Sequence, residues 1–273
     1  MYPELPLPGT DATLRTSIVF LLLAIATETW LANRWLRRDG VDPRRAAWAL
    51  AVFSVAALLG GRVHHLAATW SRFPSHGWDV LLRPSFHAPG VLVGGLVAIT
   101  LLVPRLGVPM RPFGDAVAGP SGIAFAIARL GCFLNGCCYG IYCPYPWGVV
   151  FPHDHPLYLI QVEQGRIPVG ATRLAPVHPL QLYFAASGLA IAAFLYWWRP
   201  RKRFDGEIGL LFFVLFTVSG SLLEPLREDD PGRVYLGQWP QVLVVMASLA
   251  VTSMLVLLGF EWWERRQRLS ARH

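Results

Sequence analysis

The run Arg129-Leu130-Gly131-Cys132-Phe133-Leu134-Asn135-Gly136-Cys137-Cys138-Tyr139-Gly140 places a cation, an amide and three thiols directly after the apolar stretch Gly122 to Ala128. An arginine near the centre of a membrane helix costs about 2.5–3.5 kcal/mol on insertion scales, so it is expected to face a protein interior or a wet cavity. Gly131, Gly136 and Gly140 remove bulk around it and open that face to a neighbouring helix or a lipid headgroup. Two further arginines share its setting: Arg62, after Leu59-Gly60-Gly61, and Arg227, after Glu224-Pro225-Leu226. One such arginine is as well explained by snorkelling or by an acidic partner. Three on one side of a membrane suit a phosphate, because the planar guanidinium donates paired, charge-assisted hydrogen bonds. At that depth the phosphate is a phospholipid headgroup.

Other residues add acid–base and thiol chemistry. His87, in Pro84-Ser85-Phe86-His87-Ala88-Pro89-Gly90, is a candidate base because an imidazole takes a proton near neutral pH. Val177-His178-Pro179-Leu180-Gln181-Leu182-Tyr183 opens an apolar segment, with Pro179 suited to a first helical turn. Its His178, Gln181 and Tyr183 either orient other groups or anchor the helix. Cys132, Cys137, Cys138 and Cys143 lie within a dozen residues. Their spacing is not the two-residue spacing of zinc knuckles, and no metal or other cofactor is expected. A disulfide such as Cys138 to Cys143 is the alternative in an oxidising compartment.

These groups must be positioned by membrane helices. Charged residues make up 15% of the chain and hydrophobic ones 54%, against a charged fraction of about 25% in soluble domains. Seven apolar segments approach the length of a bilayer span: Thr16 to Ala32, Ala46 to Leu66, Gly90 to Leu106, Ala116 to Leu134, Pro179 to Trp198, Ile208 to Leu223 and Gln241 to Phe260. The expected fold is therefore an all-α membrane bundle in a single polytopic domain, residues 1–273. Met1 to Asp11 lacks a basic n-region, so no cleavable signal is expected.

The net charge of +7 is spent on topology rather than on nucleic acid. Arg34, Arg37, Arg38, Arg44 and Arg45 fill the first loop; Arg199, Arg201, Lys202 and Arg203 the fifth; Arg265, Arg266, Arg268 and Arg272 the tail. The positive-inside rule then puts the amino terminus outside and the carboxyl terminus in the cytoplasm. Outward loops 67–89, 138–178 and 225–240 are expected to form a small head above a site open to the outer leaflet. The histidines in those loops, taken singly, read as ordinary loop residues.

The run from Arg129 to Gly140 resembles the signature of the prolipoprotein diacylglyceryl transferases, typically Arg-x-Gly-Asn-Phe-x-Asn-Gly-Glu-x-x-Gly. The similarity continues in order through Gly60-Gly61-Arg62, Ser85-Phe86-His87, His178 to Tyr183, Glu224 with Arg227, and Gly237-Gln238-Trp239. The resemblance implies a bacterial inner-membrane enzyme that moves a diacylglyceryl group from phosphatidylglycerol to the lipobox cysteine of a prolipoprotein. A thioether forms, glycerol phosphate leaves, and no metal is required. It further implies that Arg129 and Arg227 hold the phosphate, that His87 is the base, and that Arg62, Asn135, Gly140 and Glu224 shape the headgroup pocket. The expected partners are membrane lipids and a lipobox peptide, with the enzyme a monomer.

The departures bear on the acceptor. Cys132 stands where the signature has Asn, and Cys137 where it has Glu; Pro89 replaces a glycine after His87, and Phe184 stands where an acid is common. The first segment carries Thr27, Glu28 and Trp30 in place of the family's tyrosine. Three alternatives follow. A lipid transferase on the same scaffold uses a different acceptor. Cys132, Cys137 or Cys138 is itself a nucleophile or redox centre on the same scaffold, or the chain is a non-catalytic lipid- or metal-binding membrane protein.

Overall fold

The computed structural model describes residues 4–6, 13–70 and 88–228, the short pieces 235–236 and 239–240, and the helical positions 248, 251, 252, 255 and 259. A short antiparallel ladder, β1 (Glu4–Pro6) with β2 (Thr13–Arg15), leads into α1 (Thr16–Arg38). Helix α2 (Pro43–Thr69) starts at Asp42, whose carboxylate accepts the Arg44 and Arg45 amides, with proline at the first helical position. There follow α3 (Ala88–Val97), α4 (Met110–Asn135), the short α5 (Leu157–Glu163), α6 (Leu180–Trp198) and α7 (Glu207–Leu223). The pieces β3 (Tyr235–Leu236) and β4 (Trp239–Pro240) pair beyond them.

Six helical stretches are long and apolar enough to cross a membrane: Thr16–Arg38, Pro43–Thr69, Pro89–Leu106, Met110–Asn135, Leu180–Arg201 and Glu207–Leu226. The first, at 23 residues, is about 35 Å long at about 1.5 Å per residue, enough for a hydrocarbon core of about 30 Å. Most of the seventh expected span, from Gln241, lies outside the described residues. One expected boundary is corrected. Helix α2 runs on to Thr69, so no loop begins at residue 67. The third span is not a uniform α-helix: α3 passes into a π turn (Ala98–Leu102) and a 3₁₀ turn (Val103–Leu106). Pro104 explains the change, since it has no N–H to give Thr100 and its ring crowds that carbonyl.

Helix α4 is the centre of the bundle and packs on α1, α6 and α7, while α2 packs chiefly on α3. The α4–α6 crossing depends on Gly122 and Gly188. A Cβ on Gly122 would come within 2.7 Å of the Gly188 carbonyl oxygen, and one on Gly188 within 2.8 Å of the Gly122 oxygen. Backbones approach this closely only where both residues are small. Leu22, Trp30, Leu59, Leu189 and Leu222 point outward and exposed, as lipid-facing residues do.

At the arginine- and lysine-rich end, charges are consumed in holding helices together. Asp115 of α4, fully buried, accepts from Lys202 Nζ at 3.1 Å and from the Gly206 and Gly209 amides at 2.9 and 3.0 Å. Arg199 stacks over Trp35 at 3.8 Å and pairs with Asp39 at 2.8 Å. Glu207 accepts from Trp198 and Arg203, each at 2.9 Å. Helices α1, α4, α6 and α7 are thus tied at one end. Replacing Asp115 with alanine leaves the Gly206 and Gly209 amides without their acceptor, while Lys202 keeps Asp205 at 2.7 Å, and is expected to cost about 1–3 kcal/mol. Thermal unfolding in detergent should fall far more for Asp115→Ala than for Lys202→Ala, whose partner keeps its two amides.

Candidate active site

The site begins at the opposite end of α4. Gly136 closes the helix at φ +77°, with its amide bonded to the Phe133 carbonyl and the Cys137 amide to the Cys132 carbonyl, each at 3.1 Å. This is the Schellman closure, in which the residue after the glycine folds back over the residue five before it. An apolar contact normally accompanies it; here the contact is between two cysteines. The Cys137 thiol donates to the Cys132 carbonyl at 3.7 Å. Cys138 then takes a left-handed backbone at φ +62°, alone in this among the described non-glycine residues. The three Sγ atoms end within 4.8 Å of one another.

All four cysteines are free. The pairing of Cys138 with Cys143 considered from the sequence is not what the structure holds. Cys143 is fully buried, with its amide bonded to the Pro176 carbonyl at 2.9 Å, while the Cys138 side chain turns into the trio. Hydrogen bonds from the Cys132 and Cys137 thiols pull the Cys138 thiol well below its ordinary range, against the opposing effect of burial. The charges of Arg129 and Arg227 act in the same direction, so both arginines bear on this sulfur.

Arg129 lies on α4 within two turns of the closure. Its guanidinium sits over the Phe125 ring at 4.8 Å and the Phe184 ring at 4.5 Å. No carboxylate pairs with it among the described residues. Phe184, where the family resemblance led us to look for an acid, therefore still holds the arginine, through a ring face instead of a charge. That arrangement leaves the donating edges of the guanidinium uncommitted to an anion.

Arg227 arrives through the backbone. Gly140 and Arg227 form an antiparallel bridge, the Gly140 amide donates to the His178 carbonyl at 2.9 Å, and the Ile141 amide to the Leu226 carbonyl at 2.9 Å. A Cβ on Gly140 would lie 2.7 Å from both His178 Cβ and the Leu226 oxygen. Only glycine lets the three segments meet. His178 is bonded through Nδ1 to the Tyr183 hydroxyl at 3.0 Å, and Gln181 donates to the Cys137 carbonyl at 2.6 Å. Gln181 Oε1 is buried without a partner among the described residues. Glu224 is buried in the 3₁₀ turn Glu224–Leu226, and Asn135 is the last residue of α4.

The sequence candidates thus divide. Arg129, Cys132, Cys137, Cys138, Gly140, His178, Gln181, Tyr183 and Arg227 are joined by direct contacts or by charge. Arg62 is on α2, which packs on α1 and α3, and its charge acts on His65. His87 lies outside the described residues.

A small head covers this end. Phe151, Leu157, Ile167, Leu174 and Val177 form its core, and Gln161 clamps both the amide and the carbonyl of Ala175. Glu228 anchors the return segment, accepting from Gln164 at 2.8 Å and Arg166 at 3.0 Å. Three features escaped the sequence reading. The first is the Phe125–Phe184 box. Next comes His155, whose Nε2 donates to the Gly136 carbonyl at 2.9 Å while Nδ1 accepts the Leu157 amide at 3.1 Å, so that one neutral tautomer holds the elbow. The third is Glu28, which accepts from Ser121 between α1 and α4. Only Glu28 had a visible signal, a charge inside an apolar span.

A family model described as prolipoprotein diacylglyceryl transferase matches residues 11–257. A phosphatidylglycerol–prolipoprotein diacylglyceryl transferase of Legionella pneumophila (strain Lens) is 29% identical over 222 residues, covering 78% of this chain and 77% of its own length. A second such protein, designated 2, from Streptomyces coelicolor is 26% identical over 268 residues (90% and 79%). The Symbiobacterium thermophilum protein of that name is 26% identical over 249 residues (89% and 87%).

The site carries two pH-dependent expectations. A depressed thiol remains thiolate, and hence nucleophilic, below the ordinary cysteine pKa of about 8.5. Alkylation of the reduced protein at about pH 7, mapped by mass spectrometry, should label Cys138 ahead of Cys132 and Cys137, and Arg129→Gln should erode that lead. For His155, burial lowers the folded pKa below 6.5. The unfolded chain then binds the extra proton first, so this contribution to stability is complete above about pH 6.5 and is lost as pH falls through the folded value. Amide exchange across residues 153–165, corrected for intrinsic rate, should show protection falling in that window.

Proposed function

Because the chain belongs to the prolipoprotein diacylglyceryl transferase family, we propose that it moves a diacylglyceryl group from phosphatidylglycerol to a cysteine thiol of a prolipoprotein, as a monomer in the bacterial inner membrane. Its amino terminus is outside, its carboxyl terminus is cytoplasmic, and the site opens toward the outer leaflet. The observation that carries the reading is Arg129 held between two ring faces and Arg227 brought to the thiol-bearing turn by the Gly140 bridge, with no carboxylate paired to either among the described residues. Among the described residues neither cation meets a carboxylate, and a phospholipid phosphate is the anion a bilayer supplies.

The acceptor thiol loses its proton, and His87 is the candidate base. The resulting thiolate attacks the glyceryl carbon attached to the phosphate oxygen. A C–S bond forms as the C–O bond breaks, and the electron pair leaves on glycerol phosphate. Charge grows on the departing phosphate, so donors fixed in advance by Phe125, Phe184 and the Gly140 bridge favour the transition state over the ground state. The uncommitted Gln181 Oε1 is an acceptor for a hydroxyl of the glycerol headgroup. Glu224, Asn135, His178 and Tyr183 shape the pocket, and Arg62 attracts the headgroup from α2.

A second reading keeps the lipid donor and changes the acceptor. It is favoured by three free thiols placed beside Arg129 and by the replacement of polar family residues with Cys132, Cys137 and Phe184.

Purified protein in phosphatidylglycerol vesicles, incubated with a lipobox peptide and followed by mass spectrometry, tests both. A diacylglyceryl mass gain is expected, reduced by about 10²-fold or more in Arg129→Ala or Arg227→Ala, as when a preorganised oxyanion donor is removed. Cys132→Ser should retain it. Lipid consumed without peptide modification selects the second reading. Lipid bound and neither molecule altered makes the protein a non-catalytic lipid binder.

A further inference from the structure

Cys132, Cys137 and Cys138 are more than a by-product of helix closure. The Schellman turn accounts for Cys132 and Cys137 lying together, since it returns the one over the other. It does not account for Cys138. A non-glycine residue at φ +62° is held in a sparsely populated conformation, and its effect is to bring a third sulfur within 4.8 Å of both others. Three thiolates bound about 2.3 Å from one ion stand about 4 Å apart, so inward shifts of a fraction of an ångström complete such a site. The sulfurs are half-buried and none is in a disulfide.

We infer that Cys132, Cys137 and Cys138 form a three-sulfur binding site for one thiophilic d¹⁰ cation, Zn²⁺ or Cu⁺. The donor set selects the class, because soft thiolates favour these ions over Mg²⁺ or Ca²⁺. Coordination releases to solvent whatever protons the three sulfurs still hold and leaves a complex of net charge −1 with Zn²⁺ or −2 with Cu⁺. Arg129 and Arg227, both acting on Cys138, supply the compensating positive charge. Three protein ligands satisfy Cu⁺ outright and leave Zn²⁺ one position for a water or another thiol. The linear spacing hid the site: four residues separate Cys132 from Cys137 and none separates Cys137 from Cys138, so two turns of positive φ do what a two-residue spacer does in a zinc ribbon. The inference stands independently of the transferase reading, since it needs no substrate.

The full chain, purified in detergent without chelator from cells grown in zinc- or copper-supplemented medium, is analysed by plasma mass spectrometry against protein concentration. One ion per chain is expected from one of the two media, falling to little or none in each of Cys132→Ser, Cys137→Ser and Cys138→Ser. Cys143→Ala should remain loaded. Full loading of the triple serine variant would place the ion elsewhere and overturn the assignment. So would wild-type protein with all three thiols free and no ion, or with two of them oxidised to a disulfide. Cobalt(II) titration of the reduced, stripped wild-type protein avoids reliance on variants that fold poorly. A thiolate-to-cobalt charge-transfer band saturating at one equivalent is expected, and no band at any ratio sinks the proposal.

Discussion

A guanidinium cannot shed its charge, and Arg129 sits on a helix that crosses hydrocarbon. Much of the thiol-rich end of the protein is built around that fact. Phe125 and Phe184 give the cation two ring faces, which offset part of its desolvation without neutralising it. A carboxylate would hold the same cation more tightly and would compete with any anion that came to it. The replacement of an acid by Phe184 therefore keeps the arginine in position and available.

The two ends of the bundle use charge in opposite ways. Near α1, α4, α6 and α7, Asp115, Glu207 and Asp39 each meet cations or backbone amides, and the network fixes helix ends against one another. Those acids are spent on structure. At the other end backbone does more of the fixing, through the bridge from Gly140 to Arg227 and the paired amides to His178 and Leu226, beside the side-chain clamp of Gln161 on Ala175 and the Arg166–Glu228 pair. The Arg129 guanidinium meets no carboxylate there among the described residues. Gln181 shows the division within one residue, its amide donor tied to Cys137 and its oxygen without a partner among the described residues.

The thiols follow from the same economy of space. In the family signature an amide and a carboxylate occupy the positions of Cys132 and Cys137. Sulfur at both positions removes two oxygen acceptors from the neighbourhood of Arg129 and adds polarisable atoms whose charge depends on one another. The hydrogen bonds among the three, with two arginines beside them, concentrate thiolate character on Cys138. A local backbone feature, two left-handed residues in a run of three, has thereby become an electrostatic one.

Length and apolar runs sufficed to read seven spans from the sequence, six of which fall on helices among the described residues, because crossing hydrocarbon demands about 20 apolar residues whatever the neighbours are. The family was legible as well, through Arg129 to Gly140 and the motifs collinear with it, since ordered motifs survive at identities below a third. The same sequence was silent on the interruption of the third span until Pro104 is set against the Thr100 carbonyl, and it left open whether Cys138 joins Cys132 and Cys137 or pairs with Cys143. Spacing along a chain measures distance only while the backbone is regular. Gly136 and Cys138 reverse it, and so the meeting of three sulfurs, like the meeting of Gly140 with Arg227 across 87 positions of sequence, belongs to the tertiary structure. Hydrophobic patterning fixes which residues enter the membrane; backbone turns and interhelical contacts decide which of them face each other once there.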